Sequence, residues 1–395
     1  MTGDKRTEML GKVVLVVPTY NRPQFVHRTL SYHAKSDGLQ IAFGDGSDPE
    51  YLAENKRIIA SFSGSGLDII HYTPEVPSFV KPALKGPYGL IERMVNSGRL
   101  SSRSFVNICG DDDFVSPEFL AEAATFLTAN GDFSAAIGYH WSFHLDAPGA
   151  VGRVVKEDLS HSHPKTRAEL GAAARIGTYE IQGENALDFA FFRRSTYEAF
   201  GEPLLQLACK AQDQADPTSP RITAFTLLYL QNLISDHICL ALGKVLWLPR
   251  LQLGRHFHDA NYGGYVRTVL KVNLGDSWVA PQWPALTSIY LDAVTNALVH
   301  SEKLDHPAAR RIAEGGLALR AGQRLAYVGR QRFAEAGVGP GELADTGAMR
   351  RRLRAIPGVR NLVRALRGAS KARQSRPDDM PSDVRTLKTF LGNYR

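Results

Sequence analysis

Apolar and polar positions alternate in long blocks along the first 130 residues. Val13–Val17 is an unbroken, mostly β-branched apolar run and reads as a strand buried on both faces. Pro23 then opens a helix that places Phe25, Val26, Thr29, Leu30 and His33 on one face. Leu39–Phe43 is a second strand and ends in Gly44-Asp45-Gly46-Ser47-Asp48, with Asp48 expected to cap a helix starting at Pro49. Leu67–Tyr72 and Phe105–Cys109 are further strands. Ser116-Pro117-Glu118 opens a helix that runs through Leu127 and stops at Asn130-Gly131.

Strands alternating with helices predict an α/β fold, a parallel or mixed sheet covered by helices, whose ligands bind beyond the carboxyl ends of the strands. Three of those ends are polar turns: Pro18–Arg22, Gly44–Asp48 and Gly110–Asp113. The middle of the chain is less regular, with strand-like pieces in Phe133–Tyr139 and Tyr179–Phe192. Ile222–Leu242 is apolar but interrupted by polar residues, as in a buried core helix rather than a membrane span. Beyond about residue 275 the spacing is helical, through Ala285–Val299 and Ala308–Phe333.

Composition adds boundaries to this picture. With 44% hydrophobic and 22% charged residues, the 395-residue chain can bury a large core. Cys109, Cys209 and Cys239 lie far apart, without disulfide or metal-ligand spacing, which fits a reduced cytoplasmic setting. Met1–Gly11 is polar and reads as no signal peptide. The net charge of +7 is local: ten basic and no acidic residues fall between Thr346 and Pro377, and without them the chain would be net negative. In that segment Leu353, Ile356, Val359, Leu362, Val363 and Leu366 recur between arginines, a pattern for anionic membrane surfaces over 346–376 and peripheral attachment to the inner face of a membrane. A solvated helix packed on the body would show the same pattern. No nucleic-acid motif accompanies the charge, so no nucleic-acid partner is expected.

The chemistry concentrates in Gly110-Asp111-Asp112-Asp113-Phe114. Adjacent carboxylates repel unless a cation neutralises them, and Mg²⁺ or Mn²⁺ take such oxygen ligands together with substrate phosphates. A solvated acidic turn is the plain alternative. Asp45 could accept hydrogen bonds from a base or ribose, Tyr20 could stack on a base, and Arg22 could pair with phosphate; each also fits an ordinary loop.

Taken together, Val16-Val17-Pro18-Thr19-Tyr20-Asn21-Arg22, Gly44–Asp48 and Gly110–Phe114 with Ser116-Pro117 resemble the successive signatures of family 2 glycosyltransferases of the GT-A fold. The match runs along residues 12–130 and continues loosely through Phe191–Ser195 and Ser235-Asp236. The resemblance implies a GT-A domain over 1–265, with a nucleotide-sugar half (1–130) and an acceptor half (131–265). A helical region (266–345) and a basic amphipathic tail (346–395) would follow. It implies a nucleotide-sugar donor, UDP-linked in the family's usage, and a glycan or lipid-linked acceptor in surface polysaccharide synthesis. Pro18, Thr19, Tyr20, Arg22 and Asp45 would hold the base, and Asp111 and Asp112 the ribose and diphosphate. Asp113 would hold the metal, with His258 as a further ligand and Lys85 as a phosphate contact. Asp236 would be the base of an inverting transfer; pairing with a core arginine or capping a helix end is its alternative. Gly110 and Gly44 stand where many members carry Asp. A nucleotidyltransferase would need a glycine-rich loop after the first strand, which Pro18–Pro23 lacks. A non-catalytic scaffold of this fold is the competing non-enzymatic reading.

Overall fold

The computed structural model describes residues 3–73, 103–147, 149–160, 166–182, 187–213, 220–258, 283–335 and 382–394. Lys85 and the basic segment 346–376 lie outside them. The described strands are β1 (Val13–Thr19), β2 (Gln40–Asp45), β3 (Asp68–Tyr72), β4 (Phe105–Ile108), β5 (Phe114–Val115), β6 (Phe133–Leu145), β7 (Val154–Ser160), β8 (Phe191–Arg193) and β9 (Lys244–His256). They form one mixed sheet in the order β3-β2-β1-β4-β8-β6-β9-β5, with β7 paired to β6. Strands β3, β2, β1 and β4 run parallel, β8 runs against β4 and β6, and β6 and β9 run parallel.

The unbroken apolar run of β1 is explained by helices on both faces. Val14 and Val16 face one core, together with Val106, Ile108 and Phe192. Val13, Leu15 and Val17 face the other, with Val26, Leu30, Ile41 and Phe119. This is the period-2 alternation of a strand buried twice. The second core is closed by α1 (Gly3–Leu10), α2 (Pro23–His33), α3 (Pro49–Ser61) and α4 (Pro117–Ala129). The first is closed by α5 (Ala172–Gln182), α6 (Arg194–Asp213), α7 (Pro220–Leu242), α8 (Trp283–Glu302) and α9 (His306–Glu335).

The structure departs from the sequence reading in several places. Within Tyr179–Phe192, Phe191-Phe192 is strand, but Tyr179 belongs to the helix Ala172–Gln182, where it and Ile176 repeat at helical spacing and both are buried. Asp48 occupies the N-cap of α3, but its carboxylate accepts from Asn21 Nδ2 at 2.7 Å instead of from the helix N–H groups. The helical region shares the first core through Leu286, Tyr290, Val294, Leu298, Ala309 and Ala313. The end of the chain, grouped by sequence with the basic tail, is a helix, α10 (Ser382–Asn393). Its Val384, Leu387 and Leu391 pack with Phe114, Trp141, Phe143 and Leu251. No helix of the described residues is long and apolar enough to cross a membrane.

Candidate functional site

Parallel strands end on the same side, so the register of β1, β2 and β4 decides what meets there. Thr19 pairs with Asp45, and Val16 with Ile108, which sets the turn after β4 beside the turn after β1. Gly110-Asp111-Asp112-Asp113 is a β-turn closed by the Asp113 N–H donating to the Gly110 carbonyl at 3.1 Å. Asp111, Asp112 and Asp113 are all buried.

Each carboxylate has a different set of partners. Thr19 Oγ1 donates to Asp111 Oδ2 at 2.7 Å, and Arg22 Nη1 donates to Asp111 Oδ1 and Asp112 Oδ2 at 3.0 and 3.1 Å. Asp112 Oδ2 also lies 2.8 Å from His258 Nε2. Asp113 Oδ1 accepts the backbone N–H of His256 at 3.0 Å, from the end of β9. The turn's backbone is gripped from α2: Arg28 Nη2 donates to the Asp112 carbonyl at 2.7 Å and Thr29 Oγ1 to the Asp111 carbonyl at 3.2 Å.

The electrostatics separate the three acids. Burial pushes Asp111 up to about 6, with repulsion from Asp112 adding and Arg22 opposing. Burial also pushes Asp113 up to about 8, again with Asp112 repelling and Arg255 opposing. Asp112 is shifted the other way: burial would raise it, but His258 and Arg22 outweigh that and hold it below the ordinary carboxylate range. The turn therefore favours negative charge on Asp112 and shifts the other two carboxyls toward their neutral form.

Gly110 makes room for that cluster. A Cβ on Gly110 would lie 2.8 Å from Asp112 Oδ1 and 3.3 Å from Asp113 Oδ2. These are the oxygens not engaged by Arg22, His258 or the His256 N–H. Asp112 Oδ1 and Asp113 Oδ2 thus both border the space that a side chain at position 110 would fill. Carboxylate oxygens are the donors that Mg²⁺ or Mn²⁺ take. Among the described residues no group of three or more His, Cys, Asp or Glu is arranged to hold a metal ion.

The other expected residues divide into those the structure brings here and those it does not. Pro18 and the exposed Tyr20 border the site at the end of β1. Asn21 takes a φ of 55° and bridges to the second turn, its N–H donating to Ser47 Oγ at 2.8 Å. Asp45 reaches the same edge, but its carboxylate is enclosed. It accepts from the Ser47 N–H and Asn55 Nδ2, both at 2.9 Å, and lies 2.8 Å from His71 Nε2. Burial would raise it, and the His71, Ser47 and Asn55 hydrogen bonds instead lower it. Asp45 therefore organises the second turn, and its side chain has no exposed surface to offer a base.

Asp236 is elsewhere. It sits within α7 rather than at the start of a helix, with 1% exposure. Tyr179 Oη donates to its Oδ2 at 2.8 Å and Arg320 Nη2 at 3.0 Å. Arg320 also binds Glu180 at 2.6 Å, and His237 joins Glu180 (2.8 Å) to Tyr290 (2.6 Å). Burial raises Asp236, with Arg320 opposing. This is the core-arginine pairing that sequence left as the alternative, and it ties α5, α7, α8 and α9 together.

Sequence reading missed Arg28, His71, Asn55 and His256. His71 could have been found at the end of the neighbouring parallel strand; Arg28 could not, since an arginine on an apolar helix face reads as exposed. Arg255 lies over the rings of Phe189 (5.4 Å) and Phe257 (5.3 Å), with no ion-pair partner among the described residues.

No protein-family model matches the chain, and no curated protein matches it in sequence. Among solved structures it is similar to S. aureus TarS 1-349, with a TM-score of 0.37 and 12% identity over 76% of this chain and 90% of that one. S. aureus TarS in a longer form gives a TM-score of 0.39 and 13% identity over 76% of this chain and 55% of that one. TarS 1-349 in complex with UDP gives 0.36 and 13% over 76% and 90%.

Proposed function

We propose that the protein is a nucleotide-sugar-dependent glycosyltransferase of the family 2, GT-A type, with its donor site at the Thr19–Arg22 and Asp111–Asp113 turns. The observation that carries this reading is the joint network in which Thr19, Arg22 and His258 all bond the acidic turn. Such a network, on the carboxyl edge of parallel strands, suits a diphosphate with its cation better than it suits a solvated turn.

In this reading Asp112 and Asp113 would hold Mg²⁺ or Mn²⁺, with His258 beside them. The cation would neutralise the charge that builds on the leaving diphosphate. Arg22, which now spans Asp111 and Asp112, would exchange part of that contact for phosphate, and Arg255 would supply a second guanidinium. Tyr20, on the open side, would stack on the base. Asp236 is not given the base role, because its carboxylate is already the partner of Arg320 and Tyr179. A glycan or lipid-linked hydroxyl is the acceptor class that belongs to this reading, with 346–376 as the contact to an anionic membrane.

The test is a thermal-shift screen of nucleoside diphosphates and their sugars with Mn²⁺ or Mg²⁺, followed by slow donor hydrolysis without acceptor. A cation-dependent shift with one nucleotide and release of its sugar is expected. A chain that binds no nucleotide with either cation ends the proposal.

A further inference from the structure

Arg28 is fully buried, with 0% exposure, in a protein whose other deeply buried arginines mostly face carboxylates or helix-end carbonyls. Its guanidinium lies between two rings, 4.6 Å from the centroid of Phe25 and 4.7 Å from that of Phe114. Besides the Asp112 carbonyl, it donates to the Ala150 carbonyl at 3.2 Å, and Nη1 lies 3.5 Å from His256 Nδ1. Nε has no partner. No carboxylate is within ion-pair distance of it among the described residues. Its charge is balanced only through space by the acidic turn, so a buried cation is kept directly behind that turn at a real cost.

The rings that hold Arg28 are themselves held by the end of the chain. Phe114, next to Asp113 in sequence, packs edge-to-face with Phe390 of α10 (5.9 Å) and with Tyr32 (5.0 Å), and Tyr32 packs with Phe390 (5.2 Å). A Cβ on Gly254 would meet Leu387 Cδ2 at 2.4 Å, so that glycine lets α10 seat against β9. Tyr394 Oη lies 2.6 Å from His27 Nδ1, on the residue before Arg28. A continuous set of contacts therefore runs from α10 through Phe114 and Arg28 to the Asp112 backbone.

We propose that Arg28 is a positioning residue for the acidic turn, and that α10 is part of the cation and diphosphate site by holding Arg28 in place. Arg28 fixes the Asp112 carbonyl, which sets where the Asp112 and Asp113 carboxylates point, and it lends positive potential without occupying a carboxylate oxygen. This rests on the reading of the acidic turn as the donor and cation site.

The experiment compares Arg28→Met, Arg28→Lys and Phe390→Ala in the full chain. Mn²⁺ alone is titrated by electron paramagnetic resonance, and hydrogen exchange is followed in peptides covering 110–116 and 250–258. Arg28→Met is expected to weaken Mn²⁺ half-saturation by about tenfold to a hundredfold, as loss of an outer-shell support does, and to speed exchange at 110–116. Arg28→Lys is expected to recover part of both, and Phe390→Ala to change both in the same direction. A folded Arg28→Met protein with unchanged Mn²⁺ affinity and unchanged exchange overturns the proposal. If Arg28→Met does not fold, an unchanged Phe390→Ala protein does the same. A wild-type chain that binds no Mn²⁺ sinks the cation assignment in the proposed function, while the exchange comparison still decides the positioning role.

Discussion

One nitrogen of Arg22 is shared by two carboxylates: Nη1 donates to Asp111 at 3.0 Å and to Asp112 at 3.1 Å. The residue that opens α2 thereby bridges two neighbouring acids that would otherwise repel each other. Burial lowers Arg22, and the two acids together more than reverse this. Its removal would leave two buried carboxyls facing each other. Arg22→Ala is expected to destabilise the chain by about 1.5–3 kcal/mol at neutral pH, the range for a hydrogen bond to a charged group. The loss should shrink at pH 4, where Asp111 carries its proton and only Asp112, held below the ordinary carboxylate range, stays charged. Urea denaturation at the two pH values checks this; a loss that is equal at both would refute the bridging role.

Asp113 gives a second, pH-based expectation. Its carboxyl is raised to about 8, and that of Asp111 to about 6. A carboxyl raised in the folded state binds protons that the unfolded chain has already released. Its contribution to stability is therefore fully present below about pH 4 and is lost as pH rises through the folded value. Asp113→Asn, which cannot ionise, should gain stability relative to wild type as pH rises from 5 to 8. Mn²⁺ should stabilise wild type most at pH 8 and have little effect on the variant. Identical pH profiles for the two proteins would show that Asp113 is not perturbed as described.

How far this site could be read beforehand depended on whether a residue's partners were local. The ends of β1, β2 and β4 announced themselves because an apolar run stops abruptly at a polar turn, and parallel strands must then bring those turns together. Asp111–Asp113 was within reach of that logic; His258, just beyond β9, came only from the family resemblance. Asp45 could be placed at that edge, but the enclosure of its carboxylate could not be read, because Asn55 and His71 come from other elements. Asp236 is a similar case: what decides its role is Arg320, 84 residues away in sequence. The α10 helix was hidden by the basic composition just before it, although its Val384, Leu387 and Leu391 repeat at helical spacing.

The Asp236 network leads to a stability prediction. Arg320 donates to both Glu180 and Asp236, and burial is nearly complete for all of them. Removing one partner of a buried ion pair strands the others, which costs about 3–5 kcal/mol. Arg320→Met should lose stability of that order, and adding Asp236→Asn to it should restore part of the loss because one stranded charge is gone. A double-mutant cycle by chemical denaturation measures the coupling. If Asp236→Asn alone abolishes donor turnover while leaving stability intact, the network is catalytic and the structural assignment fails.

Gly110 offers the sharpest separation of site from scaffold. A Cβ there would come within 2.8 Å of Asp112 Oδ1, closer than real contacts allow, and within 3.3 Å of Asp113 Oδ2. One of the two carboxylates must move. The fold has little at stake, because the turn's closing bond uses the Gly110 carbonyl and not its side chain. Gly110→Ala is therefore expected to keep its melting temperature within a few degrees, since a local shift of this kind costs about 1 kcal/mol. Cation-dependent nucleotide binding should weaken by about tenfold or more, the usual effect of disturbing a ligand's orientation. Isothermal titration with Mn²⁺ and the nucleotide found in the thermal screen provides the measurement. A Gly110→Ala protein that binds both as wild type does would mean that Asp112 Oδ1 and Asp113 Oδ2 do not hold the cation. The site would then have to be sought on the Arg22 and Arg255 side of the turn.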